Sequence, residues 1–135
     1  MKTIFAAAAA ACVSGQVSAT ELQSLAGDAL REVVAGKTVL LHTRVGNIPI
    51  TYRANGTMIG RAGDLAAYTG QERDRGRWWV QDDKLCQQWE TWLEGRAYCA
   101  TIQQEGTTVH WVRNDGERGK ATIVQPTISS ATAVR

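Results

Sequence analysis

Side chains able to act as bases, nucleophiles or metal ligands are few in this 135-residue chain, and their spacing sets up no reaction. His42 and His110 are the only two histidines, the residue type that titrates near neutral pH without help. A zinc site takes three or four ligands, and Cys86 and Cys99 have a better use as a disulfide. Asp82 and Asp83 are adjacent, so on a strand they point to opposite faces. They read as a turn rather than as the paired carboxylates of a glycosidase. Ser24, Ser129 and Ser130 sit in no GxSxG elbow, and Ser14 and Ser18 fall in an N-terminal leader. No GxGxxG or phosphate loop is present. The sequence predicts no catalytic residue, no metal and no cofactor, and points away from an enzyme.

A cationic and aromatic set is more suggestive of binding. Arg73, Arg75, Arg77 and Trp79 share one parity, so a strand that extends back past Gly76 brings them to one face, with Trp78 and Val80 on the other. Guanidinium groups can stack on the Trp79 indole, and such a surface suits an acidic glycan, a nucleic acid or an anionic lipid headgroup. The opposing interpretation is a solvated arginine strand whose stems cover apolar surface, with Glu72, Asp74, Asp82 and Asp83 neutralising the charge. Trp89 and Trp92 flank a hairpin end beside Glu90, Glu94 and Arg96. An exposed Trp92 at that tip is a contact residue; otherwise it folds back over the Cys86–Cys99 bridge. The candidate binding residues are therefore Arg75, Arg77, Trp79 and Trp92.

These residues need a scaffold, and the segment from Gly76 to Cys99 is its centre. It holds four of the five tryptophans and two of the three cysteines. The third, Cys12, lies in a leader that begins with Lys2, continues as the apolar run Ile4–Val13 and ends at Val17-Ser18-Ala19. That pattern predicts a signal peptide over residues 1–19, cleaved after Ala19; a lipoprotein acceptor role for Cys12 is the alternative. The apolar run falls well short of the roughly 20 residues that span a bilayer. Export leaves Cys86 and Cys99 as an even pair in an oxidising compartment, where a disulfide is the default. Closing that loop contributes roughly 3 kcal/mol in the chain-entropy model. The formal net charge of +2 argues against a dedicated nucleic-acid binder, although arginine dominates the cationic side.

Residues 20–125 read as one domain and 126–135 as a flexible tail. Thr20 and Gln23 form a capping-box pattern ahead of Leu22, Leu25, Ala26, Ala29, Leu30 and Val33, which make a helical stripe ending at Gly36. From Thr38 the period changes to two. Strands are expected at 38–45, 48–52, 57–60, 77–80, 85–89, 96–103, 107–113 and 120–124. Asn55-Gly56 gives the strongest hairpin signal. Arg61 to Gly76 reads as a long surface loop, with a short strand around Leu65 to Tyr68. About seven to eight short strands at regular spacing predict a mainly β protein, an antiparallel meander forming a barrel or half-barrel, with one N-terminal α-helix. An apolar cavity lined by Tyr52, Met58, Trp78 and Trp111 would suit a small ligand.

The order of GKTV, YRANGTMIG, GRWWV, LCQQW, YCATI and VHWVRNDG resembles a family of small exported proteobacterial proteins, the domain of unknown function numbered 995. The matching positions are Gly76, Trp78, Leu85, Cys86 and Cys99. The resemblance implies a periplasmic β-rich domain and supplies no catalytic residues. The expectation is thus a periplasmic or secreted, non-catalytic binding or accessory protein of the cell envelope. Its partner is an envelope protein or a small or acidic ligand, and no nucleic acid is expected. The alternative is an inhibitor or interaction protein acting through the 61–75 loop, and a hydrolase is the weakest reading.

Overall fold

The computed structural model describes residues 22–124. The leader, Cys12, Thr20 and the 126–135 tail lie outside the described residues. In chain order the elements are β1 (Gln23–Ser24), α1 (Gly27–Val34), β2 (Lys37–Thr43), β3 (Gly46–Tyr52) and β4 (Thr57–Arg61). A 3-10 turn (Gly63–Leu65) then runs into α2 (Ala66–Thr69). Next come β5 (Arg73–Gln81), β6 (Lys84–Trp89), a turn at Trp92–Gly95, β7 (Ala97–Glu105), β8 (Thr108–Arg113) and β9 (Arg118–Val124).

Strands β2 to β9 form an antiparallel meander that closes on itself, because β9 pairs with β2 through Val39↔Ile123 and Leu41↔Ala121. The result is a closed eight-stranded barrel, so no long sheet edge is left unpaired. β1 adds a two-residue flap on β7, Gln23 opposite Gln104. Turn chemistry sets the hairpins. Asp82 and Asp83 both adopt positive φ, 52° and 57°, as a two-residue turn twisted to match its strands requires. At the β3–β4 turn the Asn55 Oδ1 accepts from the Thr57 backbone N–H at 3.0 Å.

Helix α1 begins later than the capping-box pattern predicted. Gln23 is in β1, and no side chain at the helix's own N-cap, Ala26, caps it. Instead the Asp83 carboxylate, from the distant β5–β6 turn, accepts the Gly27 N–H at 3.1 Å, satisfying one orphan donor of the first turn. Arg31 donates to the Ala54 carbonyl at 3.3 Å and lies 5.0 Å from the Trp78 ring centroid. These bonds fasten α1 across the barrel end that carries the β3–β4 and β5–β6 turns. Its buried Leu30 and Val34 plug that end.

The 61–76 stretch is more structured than a loop. The expected strand near Leu65 to Tyr68 is helical instead, and β5 starts at Arg73. Ala62 donates to the Glu72 carbonyl at 2.7 Å, and Leu65 packs against Gly46. The segment therefore folds onto the barrel's second end, beside the β2–β3 hairpin. Cys86 and Cys99 stand opposite each other on β6 and β7 and are joined by a disulfide.

Candidate functional site

Alternation along each strand divides the side chains into an outer and an inner set. Arg75, Arg77 and Trp79 belong to the outer set. The Arg75 Nε is 3.9 Å from Glu90 Oε1 in an exposed pair. Arg77 donates to Gln88 at 3.1 Å and sits 6.0 Å from the Trp79 ring centroid. The Trp79 indole N–H is taken by Gln81 at 3.0 Å. In register Trp79 stands opposite Cys86, and Cys86 opposite Cys99, so this outer row runs into the disulfide. Asp74, expected among the acids that neutralise the arginines, is instead buried, at 6 % exposure.

Trp92 is not an exposed hairpin tip, nor does it lie over the disulfide. Its side chain is buried at 6 % exposure and packs on Trp89, with ring centroids 4.7 Å apart. Two causes put it there. Leu93, Glu94 and Gly95 take positive φ and fold the chain back. The Asp74 carboxylate reaches up from β5 and accepts the backbone N–H groups of Thr91 and Trp92 at 2.9 and 2.8 Å. Gly60 supplies the space, since a Cβ there would collide with the indoles of Trp92 and Trp89.

The two histidines both lie on the outer wall. The His42 ring nitrogens pair with Asn47 Oδ1 at 2.8 Å and Thr122 Oγ1 at 2.7 Å. His110 has its Nε2 3.6 Å from Glu105. Among the described residues no cluster of three or more His, Cys, Asp or Glu is placed to hold a metal ion.

The inner set encloses a cavity of about 830 Å³, lined by 27 residues spread over most strands. That volume lies within the roughly 300–1,000 Å³ typical of small-molecule pockets. Aliphatic side chains make its body: Val39, Leu41, Ile48, Ile50, Leu85 and Ile102. Val34 of α1 is the floor. Of the residues expected to line such a space, Tyr52 and Trp111 do so, whereas Met58 and Trp78 are packed away at 0 % and 2 % exposure. The Trp78 indole N–H goes to the Arg53 carbonyl at 2.8 Å.

Polar groups enter this lining at few points. Tyr52 donates its hydroxyl to Gln87 Oε1 at 3.0 Å, and burial pushes that phenol above its ordinary value. Tyr98 faces inward opposite Gln87. Arg113 stacks over the Tyr98 ring at 4.2 Å and donates from Nε and Nη2 to Asp115 at 3.1 and 2.6 Å. That hydrogen-bonded partnership raises the Arg113 guanidinium above its usual range and lowers the Asp115 carboxyl below its own. Sequence reasoning missed Gln87, Tyr98 and Arg113. The signal was present in the alternation, since Gln87 is in phase with Leu85 and Trp89, and Arg113 with Val109 and Trp111.

The open end of the barrel carries Arg44, Tyr68, Leu93, Glu117 and Arg118 at its rim. Tyr68 and Leu93 are exposed there at 61 % and 42 %. Among the described residues no helix is long and apolar enough to cross a membrane. Comparison with family models, curated proteins and solved structures returns no match.

Proposed function

We propose that this chain is a non-catalytic binding protein that takes one small, largely apolar ligand into the interior of its barrel. The observation that carries the reading is the cavity: an eight-stranded barrel is wide enough either to be filled by side chains or to hold one small ligand, and here a cavity of about 830 Å³ opens into the interior. Its lining is aliphatic with a few donors, as ligand-binding cavities are. The 61–76 segment, packed over the open end, frames the mouth, which favours cavity binding over an inhibitory loop. Export to the bacterial envelope fits both the leader pattern and the Cys86–Cys99 disulfide, a bond that persists in oxidising compartments. Membership of the exported family numbered 995 remains part of this proposal.

The test is saturable binding of the apolar fluorophore N-phenylnaphthylamine, whose emission rises on leaving water. Wild type is expected to bind one equivalent. Ala100→Trp, which places an indole in the cavity, should abolish that binding while retaining the far-UV spectrum and the disulfide. Probe binding that is unsaturable, or equal in the variant, refutes the proposal.

A further inference from the structure

The cavity is polarised along the barrel axis. Its closed end is largely apolar, with Val34, Leu85, Ile102 and Val109 around Tyr52, whose hydroxyl is taken up by Gln87. Strand direction puts every lining arginine at the other end. Arg44 follows β2, Arg113 closes β8 and Arg118 opens β9. One lining carboxylate, Glu117, faces these three cations. Asp115, outside the lining, is engaged by Arg113 through Nε and Nη2, and Arg44 and Arg118 form no ion pair among the described residues. Arg113 is held in place from two sides, by the Tyr98 ring beneath it and the Asp115 carboxylate beside it. A guanidinium fixed in this way is pre-organised to donate its remaining edge to an anionic oxygen. The inward-facing Tyr98 hydroxyl and Gln87 amide lie next along the same wall.

We infer that the ligand is a single-chain amphiphile with an anionic head: its hydrocarbon lies against the aliphatic closed end and its carboxylate, or a like monoanion, meets Arg113 at the mouth. This rests on the proposal that the barrel interior is the binding site and adds the chemistry and orientation of the occupant. A cationic head would be repelled by Arg44 and Arg118, which form no ion pair among the described residues, and a neutral one would gain only an uncharged hydrogen bond.

Displacement of N-phenylnaphthylamine by decanoate, decanol and decyltrimethylammonium, below their aggregation concentrations, separates the possibilities. Decanoate should compete at a concentration about tenfold or more below that of decyltrimethylammonium, as one charge-assisted hydrogen bond allows. Arg113→Gln should raise the decanoate concentration needed by about tenfold and leave decanol unchanged. Because Arg113 also holds Tyr98 and Asp115, Asp115→Asn is the second variant. It keeps an acceptor oxygen beside the guanidinium but removes the competing negative charge, so decanoate should compete more strongly, whereas a merely structural role for the pair would weaken all three competitors in both variants. Equal competition by the three amphiphiles in wild type overturns this inference and leaves the cavity reading standing. No saturable probe binding at all overturns both.

Discussion

Asp74 is the residue on which the mouth of the cavity depends, and removing its carboxylate should be measurable in both stability and shape. The side chain is buried, and its Oδ2 accepts two backbone N–H groups, Thr91 at 2.9 Å and Trp92 at 2.8 Å. Hydrogen bonds to a charged acceptor contribute about 1.5–3 kcal/mol each. In Asp74→Ala the Trp92 N–H is left in a buried setting without a partner, whereas the part-buried Thr91 N–H regains some hydration. The gain from no longer burying a carboxylate offsets part of the loss. The expected cost is about 3 kcal/mol, roughly a hundredfold in the unfolding equilibrium. A domain with about 5–15 kcal/mol of stability survives that. Asp74→Asn keeps one acceptor oxygen without the charge and should lose about half as much. Urea unfolding followed by tryptophan fluorescence reads the stability, and near-UV circular dichroism reads the Trp89–Trp92 packing. If Asp74→Ala costs under about 0.5 kcal/mol, or leaves the near-UV spectrum unchanged, the carboxylate does not hold the 91–95 turn and the account of Trp92 is wrong.

Two further outcomes follow from the same structure. Replacing both Cys86 and Cys99 by alanine opens a loop with a sequence separation of 13 and should lower the urea-unfolding free energy by about 2–3 kcal/mol; an unchanged midpoint, or free thiols by mass in wild type purified without reductant, contradicts the reading. Tyr52 gives a pH signature. Its pKa is raised above the ordinary 10.0 by burial, so the folded state keeps the proton that the unfolded chain gives up. Its contribution is therefore fully present below about pH 10 and is lost progressively above it. Tyr52→Phe should flatten that alkaline decline in urea-unfolding free energy, and an identical decline in the variant would show that other groups cause it.

Much of the barrel wall was legible because strand period and turn chemistry are local. Alternation put Trp78 and Trp79 on opposite faces, and Asn55-Gly56 and Asp82-Asp83 marked turns the structure contains. Closure was not legible. It depends on β9 meeting β2 in the register Leu41↔Ala121, a pairing between segments about 80 residues apart that no window of sequence contains. The start of α1 was misplaced for the same reason, since its N-terminal donor is satisfied by Asp83, 56 positions away. The burial of Trp92 depends on Asp74, which the sequence offered only as one of the acids neutralising the arginines. The parity that aligned Arg73, Arg75 and Arg77 outward already required Asp74 to point inward. Following that one residue would have brought a carboxylate to the underside of the 91–95 turn.

The distribution of side-chain volume explains where the cavity lies. Met58, Trp78 and Trp89 come from β4, β5 and β6, and Trp92 folds in beside them. That wall is filled to the point where a Cβ at Gly60 would collide with the Trp92 and Trp89 indoles, and one at Gly76 with the Gln88 carbonyl and Met58. The strands that complete the barrel bring Ala100 from β7 and Gly119 and Ala121 from β9 to the cavity. The Trp111 indole packs against Gly119, where a Cβ would have no room. Close packing would demand larger residues at those positions, because a void that side chains could fill costs stability in proportion to its volume. Small residues on these strands therefore leave a space beside the packed core. Trp89 and Trp92 form one wall of that space, and the polar side chains nearest its mouth are Tyr98 and Arg113, on the strands that follow β6 around the barrel.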